Sequence, residues 1–207
     1  EATTFYNAGE LLMSNGDFER AITSFDQALT SNTTAMQRSD ALMYVYRDKG
    51  YAQIQLKQYN EAIKTFEQGL ALYPNDNVIW NNMGYANYNL GKYQDAITSY
   101  DNALKFKKNY TIALINKGDT LAKMGQYQLA VNPYTLALAT DPGNRDATVG
   151  LAAAEQGASS VIPTTMIVIF VLVIIVAAGA VCYLKSRKPE TNPDVKPDEK
   201  KSKGKKK

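Results

Sequence analysis

A four-beat echo of small and aromatic residues constrains this chain more than any other feature. Gly9, Gly50, Gly84 and Gly118 are each followed twelve residues later by Ala21, Ala62, Ala96 and Ala130. An aromatic stands four residues after each alanine, at Phe25, Phe66, Tyr100 and Tyr134. A small residue follows three further on, at Ala28, Gly69, Ala103 and Ala137. The alanines are spaced by 41, 34 and 34 residues. A period of about 34 residues with small residues at two facing points predicts stacked helical hairpins. Helix backbones approach closely only where side chains are small, so glycine on the first helix and alanine on the second mark the crossing. The aromatics fill the space beside it. Gly16, Gly91 and Gly125 mark the turn, each two residues before Phe18, Tyr93 or Tyr127, and Lys57 takes that place before Tyr59. One hairpin cannot bury its apolar face alone, whereas four in a row make a continuous core.

These residues resemble the tetratricopeptide repeat family over residues 2–142. The third unit carries the pattern most fully, with Trp80, Met83, Gly84, Tyr93, Ala96, Tyr100 and Ala103. Pro74 and Pro142 close the second helices of units two and four, while Thr33 and Lys108 stand there in units one and three. The resemblance implies an all-α fold, a right-handed α-solenoid of four hairpins at about 2–33, 34–75, 76–109 and 110–142. Residues 143–157 are expected to form a capping helix, since solenoid ends need a covered face. Two departures bear on geometry. The first step is seven residues too long, about two helical turns, which predicts an extended first helix in unit two (Thr34–Leu56). Pro133 falls inside the last second helix, where it removes a hydrogen bond and should kink the backbone.

Beyond residue 157 the character changes. A short spacer, 158–163, precedes Thr164–Leu184, which carries no charged residue. About 20 apolar residues span the hydrocarbon core as a helix, so this run is expected to be a single transmembrane helix. Lys185, Arg187 and Lys188 follow it at once, whereas the nearest basic residue before it is Arg145. The excess of Lys and Arg on cytoplasmic flanks then puts the C-terminus in the cytoplasm and the solenoid outside. Residues 185–207 hold ten Lys or Arg against four Asp or Glu, and the rest of the chain is net −3. That lysine-rich tail is expected to be disordered and available to anionic lipid head groups. The chain begins at Glu1, which fits a removed signal peptide. Asn32-Thr-Thr and Asn109-Tyr-Thr are glycosylation sequons expected in turns. The small-residue patch Ala177–Ala180 is a candidate contact for a homo-oligomer in lipid.

Catalytic chemistry is poorly provided for. There is no histidine, the commonest general base and metal ligand. The single cysteine, Cys182, lies in the apolar run. No phosphate-binding loop, dinucleotide fingerprint or nucleophile elbow is present, and no cofactor, metal site or nucleic-acid partner is expected. The resemblance likewise implies a binding scaffold rather than an enzyme.

In the family, first helices of successive hairpins line a concave groove. The corresponding positions here are Tyr6, Glu10, Tyr44, Arg47, Tyr51, Asn81, Tyr85, Tyr88, Asn89, Asp119 and Lys123. Tyrosine offers large contact area at low entropic cost and a polar tip, a surface suited to an extended peptide or a partner helix. The family's mode of clamping a C-terminal carboxylate with Lys, Arg and Asn is not reproduced. Arg47 and Asn82 match, while Tyr51, Ile112 and Asn116 do not supply the rest. The expectation is a membrane-tethered protein-interaction scaffold displayed outside the cytoplasm. The alternatives are a cytosol-facing, C-terminally anchored adaptor, or a self-assembling structural solenoid.

Overall fold

A computed structural model describes residues 1–31, 33–38, 40–160 and 164–186. The chain divides into two compact units, Glu1–Val161 and Ile162–Lys207. Among the described residues every regular element is an α-helix.

The first unit holds four antiparallel hairpins. They are α1 (Ala2–Ser14) with α2 (Phe18–Thr30), α4 (Ala41–Gln55) with α5 (Tyr59–Leu72), α6 (Asn77–Asn89) with α7 (Tyr93–Phe106), and α8 (Thr111–Lys123) with α9 (Tyr127–Thr140). A short α3 (Thr34–Arg38) precedes α4, and α10 (Arg145–Ser160) packs on α9 and α8. The second helix of each hairpin also packs on the first helix of the next, through α2–α4, α5–α6 and α7–α8.

The crossing expected from the glycines is present in all four hairpins. A Cβ added at Gly84 would lie 2.5 Å from Cε1 of Tyr100, and one at Gly9 the same distance from Cε1 of Phe25. Gly50 sits closer still under Phe66, and Gly118 lies under Tyr134 in the same way. Ala21, Ala62, Ala96 and Ala130 are fully buried. The helix turns are built as the glycines require: Gly16, Gly91 and Gly125 have φ between 73° and 78°. Lys57 adopts the same left-handed backbone, φ 60°, although its Cβ makes that region costly by about 1 kcal/mol.

The long step between the first two hairpins is not one extended helix. Asp40 takes a left-handed conformation, φ 55°, which separates α3 from α4. Aspartate tolerates that region better than most residues and its side chain competes for nearby backbone groups. The additional residues become a short helix that places Met36, 2% exposed, in the core with Phe25, Leu42 and Val45. α9 runs unbroken through Pro133, which is buried. α10 begins at Arg145 and continues to Ser160, so the spacer expected from residue 158 is still helical there. Gly150 of α10 meets the face of Tyr134, and Gly157 meets Tyr127. A solenoid end that would expose two tyrosine rings is thereby covered.

The second unit contains α11 (Thr164–Ser186), a single helix of 23 residues, about 35 Å long. Its residues Val168, Ile169 and 171–180 are exposed. Among the described residues no helix is long and apolar enough to cross a membrane. The side chains of 164–167, 170, 181, 182 and 184–186 lie outside the described residues, so the uncharged run Thr164–Leu184 is seen whole only in the sequence. Residues 187–207, most of the tail, fall outside them too.

Candidate functional site

The inner-face residues come from α1, α4, α6 and α8, and their register is set by the crossing glycines. The residue just after each glycine forms one row: Glu10, Tyr51, Tyr85 and Asp119. The residue three before each glycine forms a second row: Tyr6, Arg47, Asn81 and Ile115. The structure gives these rows different roles.

The second row is a set of joints between neighbouring hairpins. Tyr6 Oη donates to Asp48 Oδ2 of α4 at 2.9 Å. Burial, then the negative charge of Asp48, pushes the Tyr6 hydroxyl well above its ordinary pKa. Arg47 Nε donates to Asp76 Oδ2 at 2.8 Å, and its terminal Nη2 lies 2.7 Å from the same oxygen. Asp76 also caps α6, its Oδ1 accepting from the backbone N–H groups of Val78 and Ile79 at 2.9 Å. Asn81 Oδ1 accepts from Asn116 Nδ2 of α8 at 3.1 Å, while Asn81 Nδ2 donates to Asn82 Oδ1. Tyr6, Arg47 and Asn81 were all expected to face a ligand. Asn81 is 4% exposed and Arg47 is held by a buried carboxylate, so in this structure both serve as joints between repeats. The physical reason is stacking: Tyr6, Arg47 and Asn81 each meet a polar group of the following repeat.

The first row stays open. Tyr51 and Tyr85 are 43% and 42% exposed, and Tyr44 on α4 is 46% exposed with the Arg47 guanidinium 5.1 Å from its ring centre. Glu10, Asn89, Asp119 and Lys123 are exposed as well. Asn89 donates to the carbonyl of Tyr85 at 2.8 Å. Tyr88 is half-buried with its ring 5.6 Å from Tyr93. Tyr85, Tyr88, Tyr100, Asn116 and Asp119 line a small open cavity of about 70 Å³. Asp119 Oδ1 accepts from Tyr134 Oη at 2.6 Å. Burial raises the Asp119 carboxyl above the usual carboxylate range, against the lowering effect of that bond, and Asp146 adds to the rise. Asp48 is likewise raised, first by burial.

Two residues central to this arrangement escape a sequence reading. Asp76 carried a signal, as an Asp directly before an apolar-periodic helix is a cap candidate. Asp48 shares its phase with Asn82 and Asn116, but nothing in that phase names Tyr6 as its partner. Asn109 is exposed in the turn before α8. Asn32 lies outside the described residues. Among the described residues no group of three His, Cys, Asp or Glu is placed to hold a metal ion.

Family profiles described as tetratricopeptide repeat match residues 1–75, 78–110 and 113–147. The chain belongs to the tetratricopeptide repeat (TPR) family. TPR folds are generally non-catalytic scaffolds for protein–protein interaction. A search of curated proteins by sequence gave no match. Among solved structures, the fold is similar to MamA, at 20% identity and a TM-score of 0.65 over 76% of this chain and 82% of that one. It is also similar to YrrB, described as a TPR protein with an unusual peptide-binding site, at 22% identity and a TM-score of 0.60 over 77% and 78%. The first TPR of Spaghetti (RPAP3), solved bound to the HSP90 peptide SRMEEVD, is 25% identical with a TM-score of 0.55 over 57% of this chain and 94% of that one.

Proposed function

We propose that this protein is a membrane-tethered TPR scaffold whose inner face binds an extended peptide segment of a partner protein on the extracytoplasmic side. The observation that carries the binding role is the exposed tyrosines: Tyr51 and Tyr85 of the open row, and Tyr44 seven residues before Tyr51 on α4, remain more than two-fifths exposed while Arg47 and Asn81 of the adjacent row are taken up by joints between repeats. A large aromatic left exposed in a row across successive repeats favours an interface over solvent. TPR structures solved with bound peptides, such as that of RPAP3 with an HSP90 peptide, support the mode. Tethering rests on the uncharged run Thr164–Leu184 followed by basic residues, and on its lying within one 23-residue helix. The orientation rests on the excess of Lys and Arg after that run.

Two experiments test the reading. A photo-crosslinking residue placed at Tyr51 in intact cells should trap a partner that the same residue at Gln68, on the outer helix α5, does not. Equal trapping at both sites would show that the inner face is not the binding surface. Protease added to intact cells should digest the solenoid and spare the tail. A protected solenoid in sealed cells would instead make this a cytosol-facing adaptor.

A further inference from the structure

The chemistry of the open face goes further than a generic peptide site. Its exposed charged groups are mostly acidic: Glu10 at the first hairpin and Asp119 at the fourth. The basic residues of the same helices are largely neutralised. Arg47 is held by Asp76, Lys49 by Asp26 and Lys117 by Asp101. Lys123 is the exposed cation one turn beyond Asp119. Between the two acidic ends stand the exposed rings of Tyr51 and Tyr85, whose faces attract cations. The Asp119 end also opens onto the small cavity beside Tyr85 and Tyr100.

Resting on the groove reading above, we infer that the partner segment is extended and cationic, with one basic side chain meeting Glu10 and a second meeting Asp119, and an uncharged stretch crossing Tyr51 and Tyr85. This is the opposite charge preference from an acidic C-terminal tail. Three interhelical steps of about 8–10 Å separate the first helix from α8. An extended chain covers that span in about eight residues. The two basic positions are therefore about seven or eight residues apart. The charge on the face selects for cations, and the tyrosines supply contact area that does not depend on the identity of the side chains between them.

The test is a random decapeptide array probed with the full chain in neutral detergent at low salt, repeated with Tyr51→Ser/Tyr85→Ser. Only peptides lost in that double variant are counted, which removes acidic peptides captured by the lysine-rich tail. The expected result is enrichment of Lys or Arg at two positions about seven apart. Binding of a selected peptide should weaken at least about tenfold, or 1.4 kcal/mol, in Glu10→Gln/Asp119→Asn, and weaken with added salt. Lys123→Gln should not weaken it. Counted peptides that are acidic or neutral, and that are insensitive to Glu10→Gln/Asp119→Asn, overturn the cationic preference and leave the groove reading standing. An array on which the tyrosine variant loses nothing overturns both.

Discussion

The crossing inside each hairpin and the face that lines the groove are built from the same helices, yet they behave differently from repeat to repeat. At the crossing the four hairpins agree: glycine under an aromatic ring, alanine opposite, each fully packed. One residue further along the same helices, the repeats present Glu10, Tyr51, Tyr85 and Asp119. The crossing is under one geometric demand, the approach of two backbones, and only one solution fits it. The open row is exposed and under no such common demand, since only Asp119 within it is tied to an aromatic of the crossing, Tyr134, so its composition is free to follow a ligand. Sameness in phase marks the scaffold, and variation in phase marks the surface.

The largest effect should come from the crossing. Gly84→Val puts branched carbon against Tyr100 and should cost about 2–3 kcal/mol, read as a lower midpoint in urea unfolding. Its neighbour Tyr85→Val should stay within about 0.5 kcal/mol. Similar losses at both positions would break the comparison. The joints between hairpins come next. Asp76→Ala removes the cap of α6 and strands the half-buried Arg47, for a loss of about 2 kcal/mol or more. Adding Arg47→Met should recover part of that loss, because the stranded charge goes with it. Tyr134→Phe keeps the ring under Gly118 and deletes only the bond to Asp119, so about 1 kcal/mol is expected. The turn of the second hairpin offers a gain of similar size: Lys57→Gly relieves a positive φ that its three counterparts meet with glycine. A stabilisation of about 1 kcal/mol should appear as a higher melting midpoint, and a loss would show that the lysine side chain carries weight there.

The smallest effect is the pH response of the joint between Tyr6 and Asp48. Asp48 has a raised pKa because burial disfavours its charge more than the Tyr6 hydroxyl favours it. The folded protein therefore holds that proton better than the unfolded chain. Its contribution to stability is present below the ordinary carboxyl pKa of about 4 and is lost as pH rises through the folded value. Asp48→Asn should match the wild type near pH 3 and exceed it modestly at neutral pH. A variant less stable than the wild type at neutral pH would show that the bond to Tyr6 outweighs burial.

Much of the scaffold is legible in the residue pattern alone. Gly9, Gly50, Gly84 and Gly118 name the crossing, and the turn positions are placed even at Lys57, where the glycine is missing. The extended helix expected over Thr34–Leu56 fails because helical periodicity says nothing about one residue in a left-handed conformation, and Asp40 is such a residue. The pattern marks the candidate face as a surface but does not divide it into its two rows. Tyr44, Tyr51 and Tyr85 stay open, whereas Arg47 and Asn81 are drawn into the body of the solenoid.

That division separates what each level of description determines. A helix repeats every 3.6 residues, so the sequence by itself determines which residues share a face and which glycine lies beneath which ring sixteen positions later. It also determines the change from a weakly acidic repeat region to an uncharged run and a basic tail. The partners of Tyr6, Arg47 and Asn81 were decided only by tertiary structure. Those bonds join groups 42, 29 and 35 residues apart in neighbouring repeats. Whether two such groups meet depends on how far one hairpin rotates against the next, and that rotation is set by all the packed side chains between them together.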